Sequence, residues 1–186
     1  MYATEVSRYI SAPPAAVYRA LLDARAVAGW RVPDGMTCRV HEFDVRVGGA
    51  FRVSLTYDDG RPGAGKSADR TDTYQGRFVE LVPFEKVVEV LRFETDDARF
   101  AGTMTLTTTL VPTGRGTTVV LLHEGVPDAV PAAANEVGTR RALANLARWV
   151  EAETEAETEA ETEAETEAET EAETEAETEA ETEGDR

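Results

Sequence analysis

Hydrophobic and polar residues alternate with two different periods along the first 150 residues, and the changes of period mark the predicted elements. Residues 4–10 alternate as a strand. The Pro13-Pro14 pair then opens a helical region that ends near Trp30. From residue 37 to residue 125, six segments of period two are separated by turn residues, which predicts six strands in hairpin order. A helix is predicted from about residue 131 to residue 150.

This order of elements defines the fold class. A strand, a pair of short helices, six meandering strands and one long C-terminal helix are typical of an α+β domain. We expect a curved antiparallel β-sheet wrapped around the C-terminal helix, with the two short helices placed after the first strand.

Two segments carry more specific expectations. Gly48-Gly49 lies between the second and third strands and predicts a tight hairpin turn, because glycine adopts positive φ without strain. In the C-terminal helix, Leu143, Leu146 and Val150 belong to an apolar stripe, and Asn145 is predicted to face away from it.

Charge divides the chain into two parts. The sequence EAET occurs eight times from Glu151, and residues 151–186 hold 17 Glu and Asp185 against Arg186. The net charge of this tail is therefore −17, which equals that of the whole chain, and residues 1–150 are neutral. Like-charge neighbours at i+4 and repeated Thr predict a tail that is partly helical at best. We expect one globular domain over 1–150 and a solubilising low-complexity tail over 151–186.

Composition excludes several classes of function. Cys38 is the only cysteine, and the two histidines lie far apart in sequence, so we predict neither a disulfide nor a metal site. No apolar run is long enough for a membrane span or a signal sequence, which predicts a soluble, cytoplasmic protein that does not bind membranes. The basic residues of the domain are dispersed, which argues against nucleic-acid binding.

One segment matches a phosphate-binding pattern. The string GRPGAGKS, residues 60–67, satisfies G-x-x-x-x-G-K-S. A phosphate-binding loop follows a parallel strand and opens a helix, whereas this segment lies between two predicted hairpin strands. We therefore predict a loop over the mouth of a cavity instead of nucleotide binding by Lys66 and Ser67.

Five segments together resemble one family. VSRYISAPPAAVYRALLD, DVRVGGAFRV, YQGRFVELVPFEKVVEV, TGRGTTVVLLHEGVP and VGTRRALANLARWV occur in the order found in the START-like (SRPBCC) superfamily, in the branch named after the activator of heat-shock-protein ATPase. The resemblance implies that residues 1–150 form a START-like domain, with a helix-grip fold and a hydrophobic cavity between sheet and helix. Members carry lipids, hormones or polyketide intermediates, and some catalyse cyclisation or dehydration.

The chain departs from this branch in its last helix. The common pattern GW...L..L has tryptophan after the glycine, but here Gly138 is followed by Thr139 and the tryptophan is Trp149. The missing bulky group implies an enlarged or reshaped cavity.

The candidate site residues are the inward-facing positions of the strands and the helix, with side chains that can orient a ligand. Tyr57, Tyr74 and Trp30 have polar groups that need a partner when buried. His123 is the candidate acid or base, although Glu124 beside it points to the opposite face. The predicted ligand-binding residues are Trp30, Phe51, Leu55, Tyr57, Tyr74, Phe78, Met104, Thr108, His123, Thr139 and Ala142.

These observations favour a protein that binds a small hydrophobic or amphipathic molecule without a cofactor or metal. Two alternatives stay open, an enzyme similar to polyketide cyclases or dehydratases and a chaperone-associated regulator. Contact with a chaperone and homodimer formation stay open as well, and no catalytic residue is assigned.

Overall fold

The structure is a computed structural model that describes residues 1–33, 35–58 and 65–184, with side chains up to residue 160 and that of Thr162. It contains seven strands and three helices within these residues. The elements are β1 (Tyr2–Ile10), α1 (Pro14–Leu21), α2 (Ala24–Trp30), β2 (Met36–Phe43), β3 (Ala50–Tyr57), β4 (Thr71–Val82), β5 (Lys86–Phe93), β6 (Met104–Thr113), β7 (Gly116–Val126) and α3 (Ala132–Gly184).

The seven strands form one antiparallel sheet in the order β1-β7-β6-β5-β4-β3-β2. Strands β2 to β7 pair with their neighbours in sequence, which confirms the predicted hairpin order. The first strand closes the sheet by pairing with β7, so that Val6 lies opposite Leu121. The N-terminal strand is thereby brought next to the last one.

The two short helices are separated by the N-cap residue of the second one, Asp23. Asp23 precedes α2, and its carboxylate accepts hydrogen bonds from the backbone N–H groups of Arg25 at 2.6 Å and Ala26 at 3.3 Å. A side chain that accepts these N–H groups begins a new helix, because the first turn has no intrahelical partners for them. The helical region predicted after β1 is therefore two helices, as expected.

The core lies between the inner face of the sheet, the two short helices and one stripe of α3. Leu143, Leu146, Ala147 and Val150 of α3 are buried in the same apolar cluster as side chains from β1 and β3 to β7. Burial at positions three and four apart matches the predicted amphipathic helix. The arrangement is the predicted helix-grip fold.

The connection between β2 and β3 differs from the predicted tight turn. It comprises residues 44–49, and of the two glycines only Gly48 has positive φ, at 82°. Gly48 donates its N–H to the carbonyl of Phe78 at 2.7 Å, and Phe78 donates to the carbonyl of Gly49 at 3.0 Å. The connection is long because it extends past its own hairpin to bond to β4.

Helix α3 continues through the EAET repeat to Gly184, so the prediction of a tail that is partly helical at best was wrong. Glu and Ala supply three of every four residues and are good helix formers. Thr158 and Thr162 also donate their hydroxyls to the carbonyls four residues earlier, at 2.9 Å each. The chain forms two compact units, Met1–Glu151 and Ala152–Arg186.

The predicted loop over a cavity mouth falls mostly on residues 59–64, which lie outside the described residues. Lys66 and Ser67 are described, and both are bound to β4. Lys66 bonds to the Asp72 carboxylate through its backbone N–H, at 2.6 Å, and through its ammonium group. The Ser67 hydroxyl donates to the carbonyl of Thr73 at 2.8 Å. These contacts assign the two residues a structural role at the start of β4.

The contact between α2 and α3 predicts the effect of two glycine substitutions. A Cβ atom on Gly29 would lie 2.6 Å from Cζ3 of Trp149, whereas one on Gly138 would meet nothing within 4 Å. Glycine to alanine in a helix ordinarily stabilises by about 1 kcal/mol. We expect Gly138→Ala to raise the urea midpoint, and Gly29→Ala to lower it because the overlap costs about 1–3 kcal/mol. Equal shifts for both variants would contradict the Gly29–Trp149 contact.

Candidate functional site

A row of side chains crosses the inner face of the sheet and contains two titratable groups. Glu89 of β5 lies opposite Leu106 of β6, which lies opposite His123 of β7. Phe78 and Thr4 continue the row on either side. Neighbouring strands are about 4.8 Å apart, so the backbones of Glu89 and His123 are about 10 Å apart on one face.

Glu89 is paired with Arg31, the residue that follows α2. The guanidinium donates to both carboxylate oxygens, at 3.0 Å from Nη1 and 2.5 Å from Nη2. Only 9% of the Arg31 side chain and 1% of the Glu89 side chain are exposed. A planar guanidinium holds a carboxylate with two parallel bonds in this way, which makes the pair geometrically specific.

Tyr74 and Cys38 lie beside this ion pair. Burial raises the pKa of Tyr74 to about 12, although Arg31 acts in the opposite direction through its charge and a hydrogen bond. Burial also raises the pKa of the Cys38 thiol, against the charge of Arg31. Both side chains are therefore neutral near pH 7. The pKa of Arg31 itself is raised, because Glu89 and Tyr74 outweigh the effect of burial.

The backbone around Arg31 is held by α3. Asn145 donates its amide N–H groups to the carbonyls of Trp30, at 3.4 Å, and Val32, at 2.9 Å. Asn145 was predicted only to face away from the apolar stripe, and these bonds to the segment after α2 were not foreseen. Its amide bonds to the carbonyls on both sides of Arg31 and so holds the segment that carries the guanidinium.

His123 is the second titratable group of the row. Its Nε2 atom is buried and has no hydrogen-bond partner among the described residues. Burial lowers the pKa of His123, a side-chain hydrogen bond with Asn135 raises it, and the charge of Arg31 lowers it, with a net decrease from 6.5. The imidazole is therefore neutral at pH 7. Asn135 lies in the first turns of α3, so sheet and helix both contribute to this site.

The structure divides the predicted ligand-binding residues into two groups. Five of them have almost no free surface: Trp30, Phe51, Phe78, Met104 and Thr108. The indole N–H of Trp30 is also used, because it donates to the carbonyl of Ala20 at 3.1 Å. Tyr74, which is 9% exposed, lies between the two groups.

The second group keeps free surface at the inner face or its edge. Leu55, Tyr57, His123, Thr139 and Ala142 are all half-buried. Thr139 donates its hydroxyl to the carbonyl of Asn135 at 2.9 Å, so its oxygen still has accepting capacity. The position where the related pattern has tryptophan therefore holds a small side chain that is partly accessible.

Arg31 and Glu89 were missed by the sequence analysis. Glu89 could have been recognised from the sequence, because it faces the same side of β5 as Val87 and Leu91. A charged residue on the apolar face of a strand needs a buried partner. Arg31 had none, since it follows a helix in a segment without periodicity. Only the tertiary structure brings the two residues together.

Two kinds of site have no counterpart in the described part of the chain. No group of three or more His, Cys, Asp or Glu side chains there is arranged to hold a metal ion. None of the helices, as far as the structure describes them, is both long and apolar enough to cross a membrane.

The fold and the segments that build this site match one protein family. Residues 11–151 match the family described as Activator of Hsp90 ATPase homolog 1-like protein. The chain belongs to this family. The match begins just after β1 and includes Arg31, Glu89, His123 and Asn135, whereas Thr4 lies before it.

Solved structures from several bacteria are similar to this chain. A protein from Chromobacterium violaceum is 37% identical, with a TM-score of 0.72 over 81% of this chain and 97% of that chain. A protein from Rhodobacter sphaeroides is 21% identical, with a TM-score of 0.65 over 81% and 93%. An AHSA1-like protein from Aeromonas hydrophila is 19% identical, with a TM-score of 0.62 over 82% and 94%, and these last two show the shared fold. No curated protein matches the chain.

The Arg31–Glu89 pair predicts a large cost for removing one charge. Glu89→Gln leaves the guanidinium buried without a counterion, which should lower the free energy of unfolding by about 3–5 kcal/mol. The matched control is Glu136→Gln, because Glu136 pairs with Arg140 at 3.1 Å on the exposed surface of α3. That change should cost about 0.3–0.5 kcal/mol in urea denaturation. Similar losses for both variants would contradict a buried pair.

The lowered pKa of His123 predicts that this residue contributes to the loss of stability at acid pH. At a pH between 6.5 and the lowered pKa of His123 in the folded protein, the unfolded chain binds more protons than the folded one. The contribution of His123 to the free energy of unfolding is therefore complete above pH 6.5 and decreases as the pH falls below it. The urea midpoint of His123→Gln should therefore fall less between pH 7.5 and pH 5 than that of the unsubstituted protein. Desolvation and the charges of Arg52 and Arg39 also lower the pKa of His41, but this side chain is exposed and solvent screens those charges. His41→Gln should therefore change the pH dependence less than His123→Gln does. An unchanged pH dependence in His123→Gln would refute the shift.

Proposed function

We propose that this protein binds a small hydrophobic or amphipathic molecule between the inner face of the sheet and α3. The observation that carries the proposal is free surface on side chains that belong to the interior of the fold. Leu55, Leu106 and Ala142 pack against the core and yet are only half-buried. Apolar surface that is turned inward and left partly uncovered is typical of a ligand pocket.

The polar side chains of the inner face support an amphipathic ligand over a purely apolar one. Ligand pockets are mostly apolar and contain few polar groups that fix the orientation of the ligand. On this inner face, Tyr74 and His123 are such groups, while Leu55 and Leu106 supply apolar contact. The paired Arg31 and Glu89 keep this polar side rigid, because a bidentate ion pair leaves each side chain one arrangement.

A substitution on α3 tests this proposal. Ala142→Trp would fill the space beside the inner face, whereas Ala134→Trp makes the same change at an exposed position of the same helix. Native mass spectrometry of the full-length protein, purified from the organism that encodes it, should show a bound small molecule. We expect Ala142→Trp to lose at least about nine-tenths of it, since overpacking excludes the ligand, and Ala134→Trp to retain it.

Two results would count against the proposal. Equal retention by both variants would place the molecule elsewhere on the protein. Absence of any bound molecule in the unsubstituted protein, together with its failure to bind added apolar compounds, would mean that the inner face is not a binding site.

A further inference from the structure

The outer face of the sheet carries a patch of uncharged side chains. In β5, Val87, Glu89 and Leu91 are buried on the inner face, so Val88 and Val90 point outwards. The same alternation in β6 and β7 directs four more side chains outwards. The six residues of this outer patch, all of them half-buried, are Val88, Val90, Thr105, Thr107, Val120 and Leu122.

The helices leave the outer patch open. Within the unit Met1–Glu151, all three helices contribute side chains to the core cluster on the inner face. Among the described residues, the four apolar members of the outer patch neither belong to that cluster nor pack against it. Apolar side chains that lie together on a face without a covering layer are typical of an interaction surface.

Two charged residues of opposite sign flank the outer patch. Glu124 of β7 and Arg77 of β4 stand at the two ends of one row, with Thr105 and Val90 between them. Neighbouring strands are about 4.8 Å apart, so the two residues are about 14 Å apart. Both are exposed, and neither forms an ion pair with another residue that the structure describes. The face is therefore acidic on one side and basic on the other.

Further charges border the outer patch and agree with this division. Glu5 extends the acidic side, because it lies on β1 next to β7, and Arg92 of β5 extends the basic side, because it lies next to β4. Lys86 and Glu80 form an ion pair with each other at 2.9 Å, so their charges compensate.

A surface of this kind is complementary to a second copy of itself. In a dimer with two-fold symmetry the same patch of both subunits meets, so each contact occurs twice. A two-fold axis parallel to the strands and between β5 and β6 places β7 of each copy over β4 of the other. Glu124 of each copy then faces Arg77 of the other, and the uncharged side chains between them face one another. Two sheets pack face to face in this way in β-sandwiches.

We infer that the outer patch joins two copies of this chain into a dimer, in which Glu124 and Arg77 form two identical ion pairs between the subunits. The inference goes beyond the proposed function and is independent of it, because it uses the opposite face of the sheet. The acidic tail of the same chain fits this surface less well. Its only apolar side chain is alanine, and its Glu residues would be repelled by Glu124.

The size of the outer patch predicts a weak dimer. Together with its flanking charges it covers about 400 Å² per copy, whereas each partner of a stable complex contributes about 800 Å². The net charge of −17 on each chain adds repulsion between the copies. We therefore expect sedimentation velocity to show a full-length protein that is mostly dimeric at about 1 mM and monomeric at about 1 µM.

Charge reversal tests the two ion pairs between the subunits. Arg77→Glu opposes two carboxylates at both contacts, and Glu124→Arg opposes two guanidinium groups at both. Each of these variants should raise the dissociation constant of the dimer at least about tenfold, because like charges then meet. The double variant, Arg77→Glu with Glu124→Arg, restores opposite charges and should dimerise about as well as the unsubstituted protein.

The two single variants also control for net charge. Arg77→Glu makes the chain more negative and Glu124→Arg makes it less negative, so general repulsion between the copies cannot weaken both dimers. Arg25→Glu, at an exposed position of α2, is the matched control for Arg77→Glu. It should leave the dissociation constant within about twofold of the original value, because salt screens charges that lie far from the contact.

Two results would overturn this inference. A protein that is monomeric at about 1 mM does not form this dimer, and its outer patch is then covered by the tail or by a different protein, or not at all. A dimer that both single variants leave intact, or that the double variant fails to restore, associates through another surface. Neither result affects the proposed function, whose test measures a molecule bound at the inner face.

Discussion

Glu89 stands in the middle of the sheet's inner face, where a carboxylate is stable only when a cation reaches it and satisfies both oxygens. Arg31 does so from outside the sheet, and the rest of the interior is arranged around that contact. The two charges cost several kcal/mol each to remove from water, which the pair recovers only in good geometry. The ion pair therefore fixes the position of the chain after α2.

Three separate bonds maintain this position. The indole N–H of Trp30 donates to the carbonyl of Ala20, and the amide of Asn145 donates to the carbonyls on both sides of Arg31. The two short helices, α3 and β5 are therefore all bonded to residues 30–32. A helix-grip fold needs its C-terminal helix to lie over the sheet, and here a polar contact supplements the apolar stripe of α3 in holding it. Polar groups of this kind specify one arrangement where apolar packing alone tolerates several.

The fold could be predicted from the sequence because period, turns and order of elements all agree on it. The site could be predicted only in part. Tyr74 and His123 could be named as candidates because their residue types and strand phase are visible in the sequence, whereas the partner of Glu89 depends on a contact 58 residues distant. The long helix of the tail was missed for another reason. Like-charge repulsion was weighed above the helix propensity of Glu and Ala, and the threonine-to-backbone bonds were not foreseen.

Electrical neutrality of the inner face follows from the same ion pair. If Arg31 had no carboxylate beside it, its uncompensated charge would attract anions to the interior. With Glu89 in place, the two buried charges compensate each other. A carboxylate placed on this face would lose its hydration without gaining an uncompensated cation.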